Sequence, residues 1–231
     1  VPFEIVVQPA PQLNPDGDPF AYTLCEDDIS DPGFATIFSI QDITNNLWDA
    51  TNGSANNIIP LLDPDISPAQ NIEDFEVTYH ETIIDAEEGT NPIQPGYLAS
   101  DGQVLFIRVT NIETDCFNRN FIGLVQIIIE PRPSIAGQNP QDLEICADDS
   151  GFPNVGTVDL SVQDQLINTN NPDDFNVIYY ASLSDYNNGT AVENPSDFQT
   201  SESPQTIIAE VINNTTLCES LNFVNFDVIV R

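Results

Sequence analysis

Apolar and polar residues alternate from Phe75 to Tyr79, and the same alternation returns a hundred residues later. Asp74-Phe75-x-Val77-x-Tyr79, followed by Asp85, Gly89 and Thr90, recurs as Asp174-Phe175-x-Val177-x-Tyr179, followed by Asp185, Gly189 and Thr190. A period of two is that of a strand with one buried face. Flanking landmarks extend the match. Leu24-Cys25-Glu26-Asp27-Asp28 answers Ile145-Cys146-Ala147-Asp148-Asp149, Ser39-Ile40-Gln41-Asp42 answers Ser161-Val162-Gln163-Asp164, and Cys116 answers Cys218. The chain is a tandem repeat of one β-rich unit.

In the shorter second copy the pattern predicts strands over 143–146, 157–162, 175–182, 206–212 and 223–230, with 191–193 as a short addition. Clusters of Gly, Pro, Asn and Asp separate these runs at the spacing of an all-β domain. Six or seven short strands in about a hundred residues are the pattern of an immunoglobulin-like sandwich. The expected fold class is therefore all-β, with two tandem immunoglobulin-like β-sandwich domains. One helical turn is expected at 85–89. Asp85 would be its N-cap, Glu88 would complete a capping box, and Gly89 would take the left-handed position beyond its end. His80, beside Tyr79 and matched by Tyr180, reads as an outward-pointing strand residue.

The first copy is longer, mainly through an insert at about 43–73 that carries the only tryptophan, Trp48. Long insertions on a repeated scaffold are where binding functions are grafted, so Trp48 is the candidate ligand-binding residue. A loop packed over the sandwich, with Trp48 filling a gap, is the other reading. Residues 5–11 resemble 127–133, which close the first copy, and 228–231 close the second. The domain reading is therefore 1–11 as the closing strand of a preceding repeat or a donor strand, 12–132 as repeat one and 133–231 as repeat two. Pro-x-Pro after the closing strands predicts short, stiff joints.

Charge narrows the partners. The 231 residues include 37 acids and four arginines, with a formal charge of -33. Nucleic acid and anionic membrane surfaces are repelled, and divalent cations or basic partners are the complements. With 40% apolar residues interleaved among the acids, this is not a disordered acidic tail. No apolar run reaches the length of a membrane span and no signal peptide is seen, so the chain reads as a mature, exported piece of something longer. The four cysteines fall two per copy without CxxC spacing, which predicts one disulfide inside each copy, Cys25–Cys116 and Cys146–Cys218. Standard immunoglobulin topology sets those two places at opposite ends, so the strand order is left open.

Catalytic constellations are missing: there is no HExxH, no phosphate-cradling glycine loop and no nucleophile with a matching base, so no enzyme activity is expected. The best chemical signal is the acidic cluster after the first cysteine. Glu26, Asp27, Asp28 and Asp31, and in the second copy Asp148 and Asp149, put hard oxygen donors on a tight loop, as calcium requires. A solvated acidic turn is the alternative.

The series Cys-x-Asp-Asp, Gly-Phe, Phe-x-Val-x-Tyr, Asp85-Ala86-Glu87-x-Gly89-Thr90-Asn91-Pro92-Ile93, Arg108-Val109, Cys116 and Pro131-x-Pro133 resembles a repeat of very long surface proteins of flavobacteria and relatives. That resemblance implies export by the type IX route, an extracellular or cell-surface location, and service as a stalk or adhesive array. Neighbouring repeats of the same protein, glycans or other surface proteins are the implied partners. The alternatives are a carbohydrate-binding sandwich using Trp48 and the insert, and a filament subunit joined by exchange of its N-terminal strand.

Overall fold

The two alternating runs form edge strands of two four-stranded sheets. The structure, a computed structural model, describes residues 10–15, 19–28, 30–48, 61–67, 69–119, 122–135, 139–148, 154–168 and 173–231. It divides into two units, residues 1–27 with 31–129 and residues 28–30 with 130–231. The spare N-terminal strand expected over the first residues, residues 49–60 of the insert and Asp149 lie outside the described residues.

In the first unit, strands β1 (Phe20–Cys25), β6 (Gly123–Glu130), β5 (Val104–Asn111) and β3 (Phe75–His80) make one sheet in that order. Strands β2 (Phe34–Ile37) and β4 (Tyr97–Ser100) make an antiparallel pair. The second unit repeats the plan: β7 (Leu143–Ile145), β12 (Val224–Val230), β11 (Gln205–Asn213) and β9 (Phe175–Tyr180), with β8 (Thr157–Val158) paired to β10 (Phe198–Gln199). The all-β sandwich expectation is met. The sixth strand of the second unit is at Phe198–Gln199 rather than at 191–193, and the run expected to reach 162 turns into a 3-10 helix at Leu160–Gln163.

Each core lies between the two sheets. Tyr79, Leu105, Ile107, Val109, Val125 and Ile127 face Ala35, Ile37 and Ala99 in the first unit. Tyr179, Ile207, Ala209, Val211, Phe226 and Val228 gather with Val158, Leu160 and Ile167 in the second. Each large side chain buried this way contributes about 1.5–3 kcal/mol.

The repeated tyrosine carries more than apolar area. Its hydroxyl reaches a helical segment laid over the core, and a buried hydroxyl needs such a partner. In the first unit that segment is helix α1 (Ile40–Trp48), which buries Ile43 and Leu47 one turn apart and sets Thr44 Oγ1 3.1 Å from Tyr79 Oη. In the second it is the shorter α3 (Asp164–Ile167), where Tyr179 donates to Asp164 Oδ1 at 2.5 Å. So the insert opens on a helix and returns at Leu61–Asp63, where Leu13 bridges Leu62 and Asn14 N–H donates to Leu61 O.

The expected helical turn is present but its start is displaced. Helix α2 (Ile83–Glu88) is capped by Thr82, whose Oγ1 accepts from Asp85 N–H at 3.1 Å and donates to Asp85 Oδ2 at 2.5 Å. Asp85 is thus the third helical residue and not the N-cap. Gly89 does take the left-handed position, at φ 68°. Ser182 and Asp185 repeat the box at the start of α4 (Leu183–Asn187). A hydroxyl two residues after each buried strand end is the better cap because its short side chain can reach back to the third N–H.

Candidate functional site

The chemistry-bearing residues that recur at one place in both units are the cysteines and the turns that hold them. After β5 the chain runs Asn111-Ile112-Glu113-Thr114-Asp115-Cys116, and after β11 Asn213-Asn214-Thr215-Thr216-Leu217-Cys218. Asn111 Oδ1 accepts from the N–H groups of Glu113 and Thr114 at 3.0 and 2.9 Å, and Asn213 Oδ1 accepts from those of Thr215 and Thr216 at 2.8 and 3.0 Å. Each asparagine N–H then donates to the cysteine carbonyl, at 2.8 Å to Cys116 and 2.9 Å to Cys218. The residue before each cysteine is left-handed, Asp115 at φ 56° and Leu217 at φ 60°. For Leu217 that backbone costs roughly 1–2 kcal/mol, sustained by the hydrogen bonds around it.

Two residues beyond, a side chain stands in for a missing strand. The β5–β6 ladder ends at the pair Ile107–Gly123. Past it, Asn118 Oδ1 accepts from Val109 N–H at 2.9 Å and Asn118 Nδ2 donates to Ile107 O at 3.2 Å. In the second unit Ser220 Oγ accepts from Val211 N–H at 3.2 Å. These plugs fasten the cysteine turns to the sheet, and they are not evident from the sequence. The recurrence Asn-x-x-Thr-x-Cys-x-Asn/Ser was legible as a pattern, but nothing in it says which backbone groups lack partners.

The other cysteine of each unit follows the first strand. Cys25 ends β1 and Cys146 follows β7. Two residues later an aspartate ties the loop to the next strand. Asp27 Oδ2 accepts from Thr36 N–H at 2.8 Å and from Thr36 Oγ1 at 2.5 Å. Asp148 accepts from Thr157 N–H at 3.3 Å and from its Oγ1 at 2.8 Å. Among the expected metal ligands, then, Asp27 and Asp148 serve as loop clamps, Glu26 is buried, and Asp28 accepts from Ser30 N–H at 2.8 Å. That last bond holds the exposed Asp28 carboxyl below its ordinary range. Asp31 is exposed. Among the described residues no group of three or more His, Cys, Asp or Glu side chains gathers in a metal-holding arrangement. Trp48 is the last residue of α1, and its side chain lies outside the described residues.

The disulfides differ from expectation. Cys25 and Cys218 are disulfide-bonded, while Cys116 and Cys146 are free thiols. Neither Cys25–Cys116 nor Cys146–Cys218 forms, and strand direction gives the reason. β7 runs parallel to β12, with Ile145 opposite Val230, and β12 runs antiparallel to β11, with Val228 opposite Gln205. Cys146 therefore leaves the sheet where β11 begins, and Cys218 follows the point where β11 ends. The length of β11, nine residues, separates them by about 30 Å at the rise of a strand. A disulfide needs its Cα atoms within about 7 Å.

His80 also departs from expectation. It is 1% exposed, with Nδ1 2.7 Å from Thr90 O and Nε2 2.9 Å from Thr78 Oγ1. A carbonyl only accepts, so Nδ1 carries the proton, and burial pushes the pKa down. Beside it, Arg108 Nη1 donates to Ala86 O and Glu87 O at the end of α2 and its guanidinium stacks 3.7 Å over Phe117, a favourable cation at a helix C-terminus.

The second unit fills the same place differently. Glu210, in the position of Arg108, is 2% exposed and accepts from Tyr180 Oη at 2.5 Å. Burial, and then Glu219, raise its pKa, against Tyr180 and Arg132, which lower it. A raised carboxyl contributes stability fully below its ordinary value of 4.5 and loses it as pH rises through the raised value. Glu210→Gln keeps an acceptor for Tyr180 without the charge. It is expected to raise the melting temperature of the second unit at pH 7 and to match the parent below pH ~4. Thermal melts across that range test it, and a variant less stable than the parent at pH 7 would contradict it.

The model of the "Flavobacterium inter-domain disulphide bond domain" matches the chain twice, over residues 21–133 and 142–231. No curated protein matches. Among solved structures, the EC1-2 segment of human mucin-like protocadherin is similar at 12% identity, over 69% of this chain and 85% of that one, with a TM-score of 0.24. The N-terminal Ig1-2 module of the Drosophila receptor protein tyrosine phosphatase DLAR is similar at 10% identity, over 71% and 87%, with a TM-score of 0.21.

Proposed function

This chain belongs to the family of Flavobacterium inter-domain disulphide bond domains, and from that premise we propose that it is a load-bearing, adhesive repeat segment of an extracellular bacterial surface protein, with its two units tied by a bond between Cys25 and Cys218. One observation carries the proposal: each unit has one oxidised and one free cysteine. Disulfides persist in oxidising surroundings, which supports an extracellular location. Type IX export and a part in surface adhesion extend the same reading. Among the described residues no helix is long and apolar enough to cross a membrane.

Such a bond changes how the chain carries tension. Force applied at the termini passes from Cys25 to Cys218 through the two sulfur atoms and bypasses the roughly 190 residues between them, which hold most of both cores. Pulled by its ends, the oxidised chain is expected to extend only by its short terminal segments. After reduction it is expected to gain roughly 650 Å of contour length, at about 3.4 Å per residue. Equal extension in the two states would sink the proposal. Calcium belongs to it as a ligand of the Asp28–Asp31 loop, where exposed carboxylates repel each other in a chain of charge -33. Calcium at ten times its Kd adds about 1.4 kcal/mol to the folded state. Reduced chain pulled in calcium should therefore resist unfolding longer than in magnesium at matched ionic strength.

A further inference from the structure

We infer that the second unit carries a docking cleft for a lysine side chain of a basic partner protein, on the outward face of its four-stranded sheet. The inference goes beyond the tie between Cys25 and Cys218 and does not depend on it. The cleft, about 320 Å³, opens between the start of α4 and β11. Ile207, Ala209 and Val211 of β11 belong to the core, so Thr206 and Ile208, which line the cleft, lie on the opposite face. Leu183, Pro204, Ile208 and Phe223 make its apolar walls, and Glu202 contributes a carboxylate.

Three observations carry it. The first is that the space is set by side chains of the second unit and not by the plan both units share. Ile208 pairs with Tyr180 and Asn225, just as Phe106 pairs with His80 and Leu124 in the first unit. An isoleucine and an asparagine thus line the cleft where the first unit has a phenylalanine and a leucine. The second is that one wall is held in place. The Phe223 ring lies 4.9 Å from that of Tyr186, which meets Tyr180 edge-on at 5.2 Å, and Tyr180 Oη donates to Glu210 at 2.5 Å. A wall ordered in advance costs little to order on binding.

The third observation is charge, and it identifies the occupant. Glu202 is exposed and has no hydrogen bond or ion pair among the described residues. The two arginines of the second unit are engaged elsewhere, Arg132 on Glu219 O and Arg231 on Glu144. The chain has no lysine and a formal charge of -33, so a second copy is repelled and a basic protein is drawn in. Leu183, Pro204, Thr206 and Phe223 are all exposed, so the cleft does not enclose a free small molecule as a ligand pocket does. It holds one side chain presented from a surface. Lysine suits both parts: its four-carbon stem lies along the apolar walls while its ammonium group meets the Glu202 carboxylate.

The full chain, isotope-labelled for amide NMR, is titrated with a blocked glycyl-lysyl-glycine peptide at about 150 mM salt, which screens long-range attraction. The matched probe carries norleucine, which keeps the four-carbon stem and lacks the charge. The expected result is a saturable shift of the Leu183, Thr206 and Asn225 amides with a Kd of about 1–10 mM. The norleucine peptide should bind roughly threefold more weakly, the size of an exposed ion pair. Glu202→Gln, at an exposed position, should remove that difference. Ile208→Phe, which installs the residue of the first unit, should abolish binding of both peptides. If that buried substitution unfolds the chain, Glu202→Gln still decides. The absence of a saturable shift at the cleft would overturn the inference. So would equal binding of the two peptides, a lysine preference that survives Glu202→Gln, or shifts spread over the acidic surface and unchanged in a folded Ile208→Phe. The tie between Cys25 and Cys218 is read separately, by peptide mapping, and neither result bears on the other.

Discussion

Replacing Cys25 or Cys218 with serine is expected to lower the stability of the chain by about 4–5 kcal/mol and to split one thermal transition into two. A bond between Cys25 and Cys218 closes a loop of roughly 190 residues in the unfolded chain, for which loop entropy alone gives about 5 kcal/mol. That constraint is shared. While the bond holds, unfolding one unit releases a loop still anchored at both ends, so the unfolded unit gains less entropy than a free segment would. Without it each unit unfolds on its own terms, and two transitions appear in a calorimetric scan. Cys116→Ser and Cys146→Ser are the matched controls. Both positions are free thiols with some exposure, and substitution there should stay within about 0.5 kcal/mol of the parent. If Cys116→Ser or Cys146→Ser costs as much as Cys25→Ser, the stabilising bond is elsewhere.

The architecture was legible where periodicity and repetition spoke together. Phe75, Val77 and Tyr79 alternate, the alternation recurs at Phe175, and both runs are strands at the edge of a four-stranded sheet. The pairing of the cysteines was not legible, because equal placement in two copies fixes which cysteines correspond and not which ones meet. Meeting depends on strand direction, and the parallel β7–β12 pair sends Cys146 away from Cys218. His80 was misread for a related reason. It is buried, with Nδ1 against the Thr90 carbonyl from the segment after α2, a tertiary contact that period-two reasoning does not contain. The cap of α2 was misplaced by three residues because Asp85 is both a good N-cap and a good third residue, and Thr82 Oγ1 decides between them. The aspartates after Cys25 and Cys146 read equally well as cation ligands or as loop clamps. Thr36 and Thr157, nine residues further on in each case, are what the clamp needs, and neither stood out in the sequence.

The plug that fastens the Cys116 turn to the sheet is expected to be the next most costly element to remove. Ile107 and Val109 are both 0% exposed, and beyond Gly123, where β6 begins, the Ile107 carbonyl and the Val109 N–H face Asn118 instead of a strand. Asn118→Ala leaves one donor and one acceptor without these bonds in a buried place, at about 1–3 kcal/mol for each group. A loss of roughly 2–4 kcal/mol in the first unit is expected, read as a lower denaturant midpoint with unchanged slope. Ser220→Ala leaves one buried group, the Val211 N–H, without its bond. The other partner of the hydroxyl, the carbonyl of the exposed Asn222, can turn to water, so the change should cost about half as much. The side chain of Asn118 must both accept and donate, so the series Asn118→Asp and Asn118→Ser separates this role from simple packing. Asp keeps the acceptor for Val109 but turns a second oxygen toward the Ile107 carbonyl, where a charge is also buried. It should therefore be worse than Ala at pH 7 and recover in acid, once the carboxyl takes up a proton and can donate. Ser, the residue used at the equivalent place in the second unit, should fall between Asn and Ala. Amide hydrogen exchange at Val109 reports the same bond locally, and thiol labelling of Cys116 reports the turn that the plug holds. Both rates should rise in Asn118→Ala well before global unfolding sets in. An Asn118→Asp variant as stable as the parent at pH 7 would show that the Nδ2 bond to Ile107 contributes nothing, and that the turn is held by its asparagine and threonine alone.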